Sequence, residues 1–219
     1  LFIVFLVLLG SGRLQAQSPQ DCFGAIPVCQ NTYNQSTAYT GQGTINDLSP
    51  SNQGCLTTGE NNSVWYIVNI STPGSFTFDI TPNTATDDYD FAVWDLTDKS
   101  CDDMMSGQPP IRCNYASLAN SSAGGNTGLS TASASPSLGA SGPSYSSSIN
   151  ATVGQTFLIL INNASSSSNG YNLNFGGTSS VTDNVAPLIK ADTIEVTCNA
   201  PSYITLLLTE NIRCNTLAA

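Results

Sequence analysis

The residues with most chemical potential lie in the stretch TATDDYDFAVWDL, Thr84 to Leu96, where Asp87, Asp88, Asp90 and Asp95 crowd into a strand-like run. Eight of the fifteen acids fall between Asp79 and Asp103, against a single lysine, Lys99. Aspartate is depleted in strands, so the cluster requires a reason. Alternation along Tyr89 to Leu96 puts Tyr89, Phe91, Val93 and Asp95 on one face. Asp88, Asp90, Ala92, Trp94 and Leu96 take the other. Asp88 and Asp90 then stand about 6 to 7 Å apart on a common face. Such a pair falls within the roughly 5 to 9.5 Å that separates the two acids of a glycosidase. A hard cation is better matched. Calcium takes six to eight oxygens, and the adjoining loop Asn83 to Asp87 offers carbonyls and side chains. The order is not that of an EF-hand loop. A charged, structural or solubilising outer face is the first reading of the run, and Asp87, Asp88 and Asp90 are the candidate set for Ca2+ beside it. Trp94, beside Asp90, is either a sugar-stacking platform or core.

The rest of the chain offers little catalytic support. Histidine is absent, which removes Ser-His-Asp, Cys-His and histidine acid–base chemistry together. Lys99 and Lys190 lie near no serine pattern of a Ser-Lys dyad, and the Gly124-Gly125 and Gly176-Gly177 pairs lack the following helix and Lys-Ser/Thr of a phosphate loop. No enzyme activity is expected. A formal charge of −10 with 9% charged residues repels phosphate backbones, so nucleic acid is not an expected partner.

The elements that must position these acids are strands. Helical periodicity is missing, and short alternating runs recur between Gly, Pro, Asn and Ser clusters, the pattern of a sandwich or barrel. Val64, Tyr66, Val68 and Ile70 share one face. So do Phe76, Phe78 and Ile80, while Thr77 and Asp79 face the other way. The turn Ser71 to Gly74 between these runs predicts a hairpin. Phe157 to Ile161 is apolar on both faces and predicts a central strand covered on both sides, with GYNLNFGG as a pairing partner. Ser117 to Ser148, dominated by Ser, Ala, Gly and Asn, is expected as a long surface excursion, because it cannot bury enough apolar surface to offset its ordering entropy.

Residues 1–17 read as a secretory signal peptide: nine apolar residues, a Gly-Ser-Gly break and a small residue at Ala16, too short a run to span a bilayer. Export places the seven cysteines in an oxidising compartment, where pairing is favoured. Zinc-type spacings and histidine are both missing. Cys101 with Cys113, and Cys198 with Cys214, close short loops flanked by strands and are the expected bridges; the pairing of Cys22, Cys29 and Cys55 stays open. The domain plan is a β-sandwich over 18–177, a linker over 178–186 and the truncated start of a second, Ig-like β-module over 187–219. The fold class is an all-β antiparallel sandwich, jelly-roll-like, with a long Ser/Gly-rich loop.

The segments DCFGAIPVCQNTYNQ, CLTTGENNSVWYIVNI, FDITPNTATDDYDFAVWDL and IRCNYA together resemble the N-terminal domain of large secreted Bacteroidetes proteins. Those proteins end in gliding-motility-associated or type IX secretion sorting domains, often after PKD or Ig-like repeats. The resemblance covers Asp21 to Gly177. It implies a secreted or cell-surface adhesin or binding protein with an extracellular glycan or protein ligand. The DDYDFAV run also resembles the acidic strand of prepeptidase C-terminal sandwich domains, where such aspartates hold calcium. Asp-Thr-Ile at 192–194 is similar to a Bacteroidetes O-glycosylation acceptor and marks Thr193. The alternative function is an accessory domain of a secreted hydrolase whose catalytic domain lies outside these 219 residues.

Overall fold

The computed structural model describes residues 18–120 and 125–181. The expected signal peptide, the expected second module, the candidate glycosylation residue Thr193 and the expected Cys198–Cys214 pairing lie outside the described residues. Twelve strands follow in order: β1 (Ile26–Pro27), β2 (Thr32–Thr37), β3 (Val64–Asn69), β4 (Gly74–Pro82), β5 (Tyr89–Asp95), β6 (Arg112–Asn114), β7 (Thr127–Ser130), β8 (Ser137–Leu138), β9 (Tyr145–Ser147), β10 (Ile149–Ala151), β11 (Thr156–Asn163) and β12 (Asn169–Gly177). One short helix, α1 (Cys101–Met105), follows β5. Ser100 caps it, its hydroxyl accepting from the Asp103 N–H while the Asp103 carboxylate accepts from the Ser100 N–H at 2.8 Å.

The strands form two sheets packed face to face. One has the order β1-β3-β11-β5-β6-β8; the other is β2-β12-β4-β7-β9, with β10 also on β4. Both sheets are mixed: β1 with β3, β6 with β8 and β7 with β9 run parallel, and the central pairings are antiparallel. The all-β sandwich is as the alternation predicts, with parallel pairs confined to short edge strands.

Between the sheets lies the main core. Val64, Tyr66 and Val68 of β3, Phe91 and Val93 of β5 and Phe157, Ile159 and Ile161 of β11 face Phe76, Phe78 and Ile80 of β4 and Leu173 of β12. Phe76 stacks on Phe157 at 5.4 Å, and Phe78 meets Phe91 edge-on at 5.0 Å. Aromatic pairs at such spacing contribute about 0.5–1.5 kcal/mol each beyond their burial.

This facing arrangement overturns the predicted β3–β4 hairpin. The Ser71 to Gly74 turn carries the chain from one sheet to the other, so the two apolar stripes meet across the interior instead of lying side by side. Likewise β11 pairs with β3 and β5, while β12 pairs with β2 and β4. The serine-rich link between β11 and β12 is again a crossing between sheets.

The sheet containing β11 is buried on both faces. Its outer face carries Trp65, Ala92, Trp94, Leu158 and Leu160, which pack with Cys22, Leu48, Leu56, Met104 and Cys113. Residues 18–25, 40–62 and 101–111 supply this cap. A strand covered twice reads as a continuous apolar run, and that is why TFLIL lacks alternation. The other sheet is covered once. Its strand β4 alternates between buried Phe76, Phe78 and Ile80 and the accessible Thr77, Asp79 and Thr81.

Residues 125–148 do not follow the expectation of an excursion without order: β7, β8 and β9 extend the two sheets. Hydrogen bonds replace apolar burial here. The Ser146 hydroxyl, fully buried, donates to the Cys113 carbonyl at 2.8 Å, and Thr127 Oγ1 donates to the Ser144 carbonyl at 2.7 Å. Arg112 donates from Nε to Ser147 O at 2.8 Å and from Nη2 to Ser148 O at 2.7 Å. Satisfied backbone groups hold a segment that composition alone places in solvent. At the other end the sandwich reaches beyond residue 177, since Thr72 bridges Ser180 and Val181 is core.

Candidate functional site

The acidic corner is built where β5 begins and β11 ends. Asp90 stands opposite Asn162 across the two strands, and Tyr89 opposite Asn163. Asp88 lies just ahead of β5: its N–H donates to Ser165 Oγ at 2.6 Å, and its carboxylate accepts the Leu118 N–H at 3.2 Å. Burial raises the Asp88 pKa, and the Leu118 bond partly offsets this. Asp90 is 4% exposed. Burial first, and then the charge of Asp88, push its carboxyl up to about 8.

Asp87 does not join them. It is buried on the Tyr89 side, where its charge adds to the burial that raises the Tyr89 phenol, and its Oδ2 has no hydrogen-bond partner. Alternation separates position 87 from 88 and 90, so the three carboxylates do not converge. Among the described residues no group of three His, Cys, Asp or Glu side chains is placed to hold a metal ion. As a three-carboxylate calcium cage, Asp87, Asp88 and Asp90 do not fit; Asp88 acts on Asp90 through its charge. Other acids of the run have local duties: Asp95 Oδ1 accepts from the Thr97 N–H at 2.9 Å, and Asp103 caps α1. Trp94 is fully buried against Trp65, with ring centroids 5.4 Å apart, and its indole donates to Gln108 O. It is core, not a sugar platform.

The cysteines pair differently from the expected short loop. Cys22 bridges Cys101 and Cys55 bridges Cys113, with Cα–Cα distances of 5.9 and 5.8 Å; Cys29 is an exposed thiol. The Cys101–Cys113 pairing is excluded because the two residues meet different segments. Cys113 faces outward from β6, where the 40–62 cap crosses it, while Cys101 opens α1 beside the N-terminal segment. Proximity in sequence was the wrong guide. The bridges span 79 and 58 residues, and closing loops of such length removes about 4 kcal/mol of chain entropy each from the unfolded state.

A second surface emerges on the uncovered sheet. One row crosses five strands: Thr32 (β2), Asn174 (β12), Asp79 (β4), Gly128 (β7) and Tyr145 (β9). The next row along holds Asn34, Asn172 and Thr81. Asp79 is exposed although it sits mid-strand with neighbours on both sides, which shows that nothing among the described residues covers this face. Thr32 Oγ1 donates to Asn174 Oδ1 at 3.0 Å, and Asn172 Nδ2 to Asn83 Oδ1 at 3.1 Å. Gly128 approaches the Phe78 carbonyl so closely that a Cβ would collide with it. The Tyr145 phenol reaches past Gly128 to the Asp79 carboxylate. Partial burial, and then the adjacent Asp79 carboxylate, raise the Tyr145 pKa.

Alternation in GSFTFDITP already turned Thr77 and Asp79 away from the core. It could not join them to Tyr145, because pairing among β4, β7 and β9 belongs to the segment whose composition hides its strands.

The fold and these surfaces define a disulfide-stapled, all-β sandwich with one capped and one open sheet. No helix among the described residues is long and apolar enough to cross a membrane. Comparison of the chain with protein-family models, with curated proteins and with solved structures finds no match.

Proposed function

We propose that the sandwich is a non-catalytic binding module of a secreted or cell-surface protein, acting in adhesion through an extracellular polysaccharide. The observation that carries this reading is the open sheet face, where Asp79 is exposed at the centre of a platform of amide, hydroxyl and phenol groups. Polysaccharides present hydroxyls in a repeating array. Asn, Thr and Asp side chains in fixed rows answer such an array with paired donors and acceptors. The face carries one carboxylate and no cation, and Lys99 and Arg112 are the cationic residues among those described. An uncharged, hydroxyl-rich polymer fits that balance, and polyanions, nucleic acids included, are disfavoured. The two disulfides support an oxidising, extracellular setting. Calcium between Asp88 and Asp90 belongs to the same reading as a stabiliser of the acidic corner, supported by the half-buried Asp88 lying close enough for its charge to act on buried Asp90.

The test is co-sedimentation of the full chain with insoluble uncharged glucans and chitin, with a charged polysaccharide and an immobilised protein mixture as parallel arms. Retention on a neutral glycan that is weakened by Asp79→Ala supports the reading. Binding to the protein arm alone, or to no glycan, overturns it.

A further inference from the structure

The strongest cluster outside these surfaces lies beneath the cap. Asp21, Asp47 and Glu60 are 4%, 2% and 7% exposed. They are linked through the chain they hold. Asp21 Oδ1 accepts the Thr44 and Ile45 N–H groups at 2.7 and 2.9 Å. Asp47 Oδ2 accepts the Cys22 N–H at 2.8 Å. Glu60 Oε2 accepts the Asp47 N–H at 2.7 Å, and Glu60 Oε1 accepts the Trp65 indole N–H at 2.9 Å. Through these acceptor oxygens the three acid side chains tie the N-terminal segment and the 40–62 cap to the outer face of the sheet.

We propose that Asp47 and Glu60 form a pH-governed latch, which holds the cap closed over Trp65 while the pair retains protons and loosens it when both carboxylates are ionised. Asp47 Oδ1 is buried and has no hydrogen-bond partner, which leaves it free to carry a proton. Asp21 is the charged neighbour of Asp47, and Asp47 that of Glu60; all three are acids. On α1, which also packs against the cap, Asp102 and Asp103 are exposed. Cys22 and Cys101 are held in a disulfide and do not titrate. Lys99 interacts with Asp103, and Arg112 is engaged by Ile111, Ser147 and Ser148 carbonyls. Among the described residues no cation offsets the pair. Burial is the main cause raising Asp47 to about 6 and Glu60 to about 7.

The folded form binds protons that the unfolded form has already lost, so the latch contribution is complete below the ordinary values of 3.8 and 4.5 and is lost as pH rises through about 6 to about 7. The loosening stays local. Cys22–Cys101 and Cys55–Cys113 keep the cap tethered while its middle lifts.

Trp65 and Trp94, the two tryptophans of the chain, report the opening directly. The full chain is titrated from acid to mildly alkaline pH while tryptophan emission and acrylamide quenching are followed. The expected result is a reversible red shift and increased quenching with a midpoint between about 6 and about 7. Asp47→Asn keeps an acceptor for Cys22 N–H while removing one charge, and should flatten the transition. Glu60→Gln, which retains the Trp65 acceptor, should do the same and serves if Asp47→Asn fails to fold. Asp98→Asn, at an exposed acid outside the cap, should leave the transition in place. A flat wild-type profile, or one whose midpoint is unmoved in the folded variants, overturns the latch.

Discussion

Asp79 and Tyr145 lie in one row of the open sheet, separated by the side-chain-free Gly128, so that carboxylate and phenol meet above the backbone of β7. Each orients the other. On a surface otherwise made of short amides and hydroxyls, this pair is the one fixed aromatic and acidic feature. Asp79→Ala and Tyr145→Ala should each weaken retention on a neutral glycan about tenfold or more, since a hydrogen bond to a charged group contributes about 1.5–3 kcal/mol. Circular dichroism should be unchanged, because neither side chain lies in the core. Unaltered binding in both variants would place the ligand elsewhere.

The acidic corner has its own signature. With the folded pKa of Asp90 raised from 3.8 to about 8, the folded state binds a proton that the unfolded state lacks between those values. Stability from this group is therefore greatest below pH about 4 and declines until pH about 8. In EDTA, Asp90→Asn should melt above wild type at pH 8 and show a shallower fall with pH. Parallel curves for the two proteins would contradict the assignment.

Calcium reverses that sign, because a neighbouring cation favours the ionised carboxylate. If calcium binds between Asp88 and Asp90, millimolar calcium at pH 8 should raise the melting temperature above that in EDTA, as binding to the folded form alone stabilises it. Asp90→Asn should abolish the gain. Equal melting temperatures for wild type in calcium and EDTA would remove calcium from the proposal.

The cap depends on its bridges. Replacing Cys55 and Cys113 together by serine should cost about 2–5 kcal/mol, the usual range for removing a native disulfide from a small domain. The expected signs are a lower denaturant midpoint and red-shifted tryptophan emission, because the cap rests on Trp65 and Trp94. Replacing exposed Cys29 by serine should change stability by less than about 0.5 kcal/mol.

Much of the architecture follows from the residues alone. Alternation in VWYIVN and GSFTFDITP fixed which side chains enter the core, and the unbroken TFLIL run identified a strand covered twice, because a side-chain period of two leaves no other arrangement. The same period separated Asp88 and Asp90 from Asp95. Partner choice was not legible. Whether consecutive strands form a hairpin or cross between sheets, which cysteines meet, and how Asp79 comes to face Tyr145 all depend on contacts between residues tens of positions apart. Ser117 to Ser148 hid its strands because backbone and serine hydrogen bonds order it, and these leave no trace in hydropathy. Asp47 and Glu60 appeared as scattered acids until the cap folded over Trp65. Local periodicity is written into the chain, whereas burial of a charge is decided by what the rest of the molecule places over it.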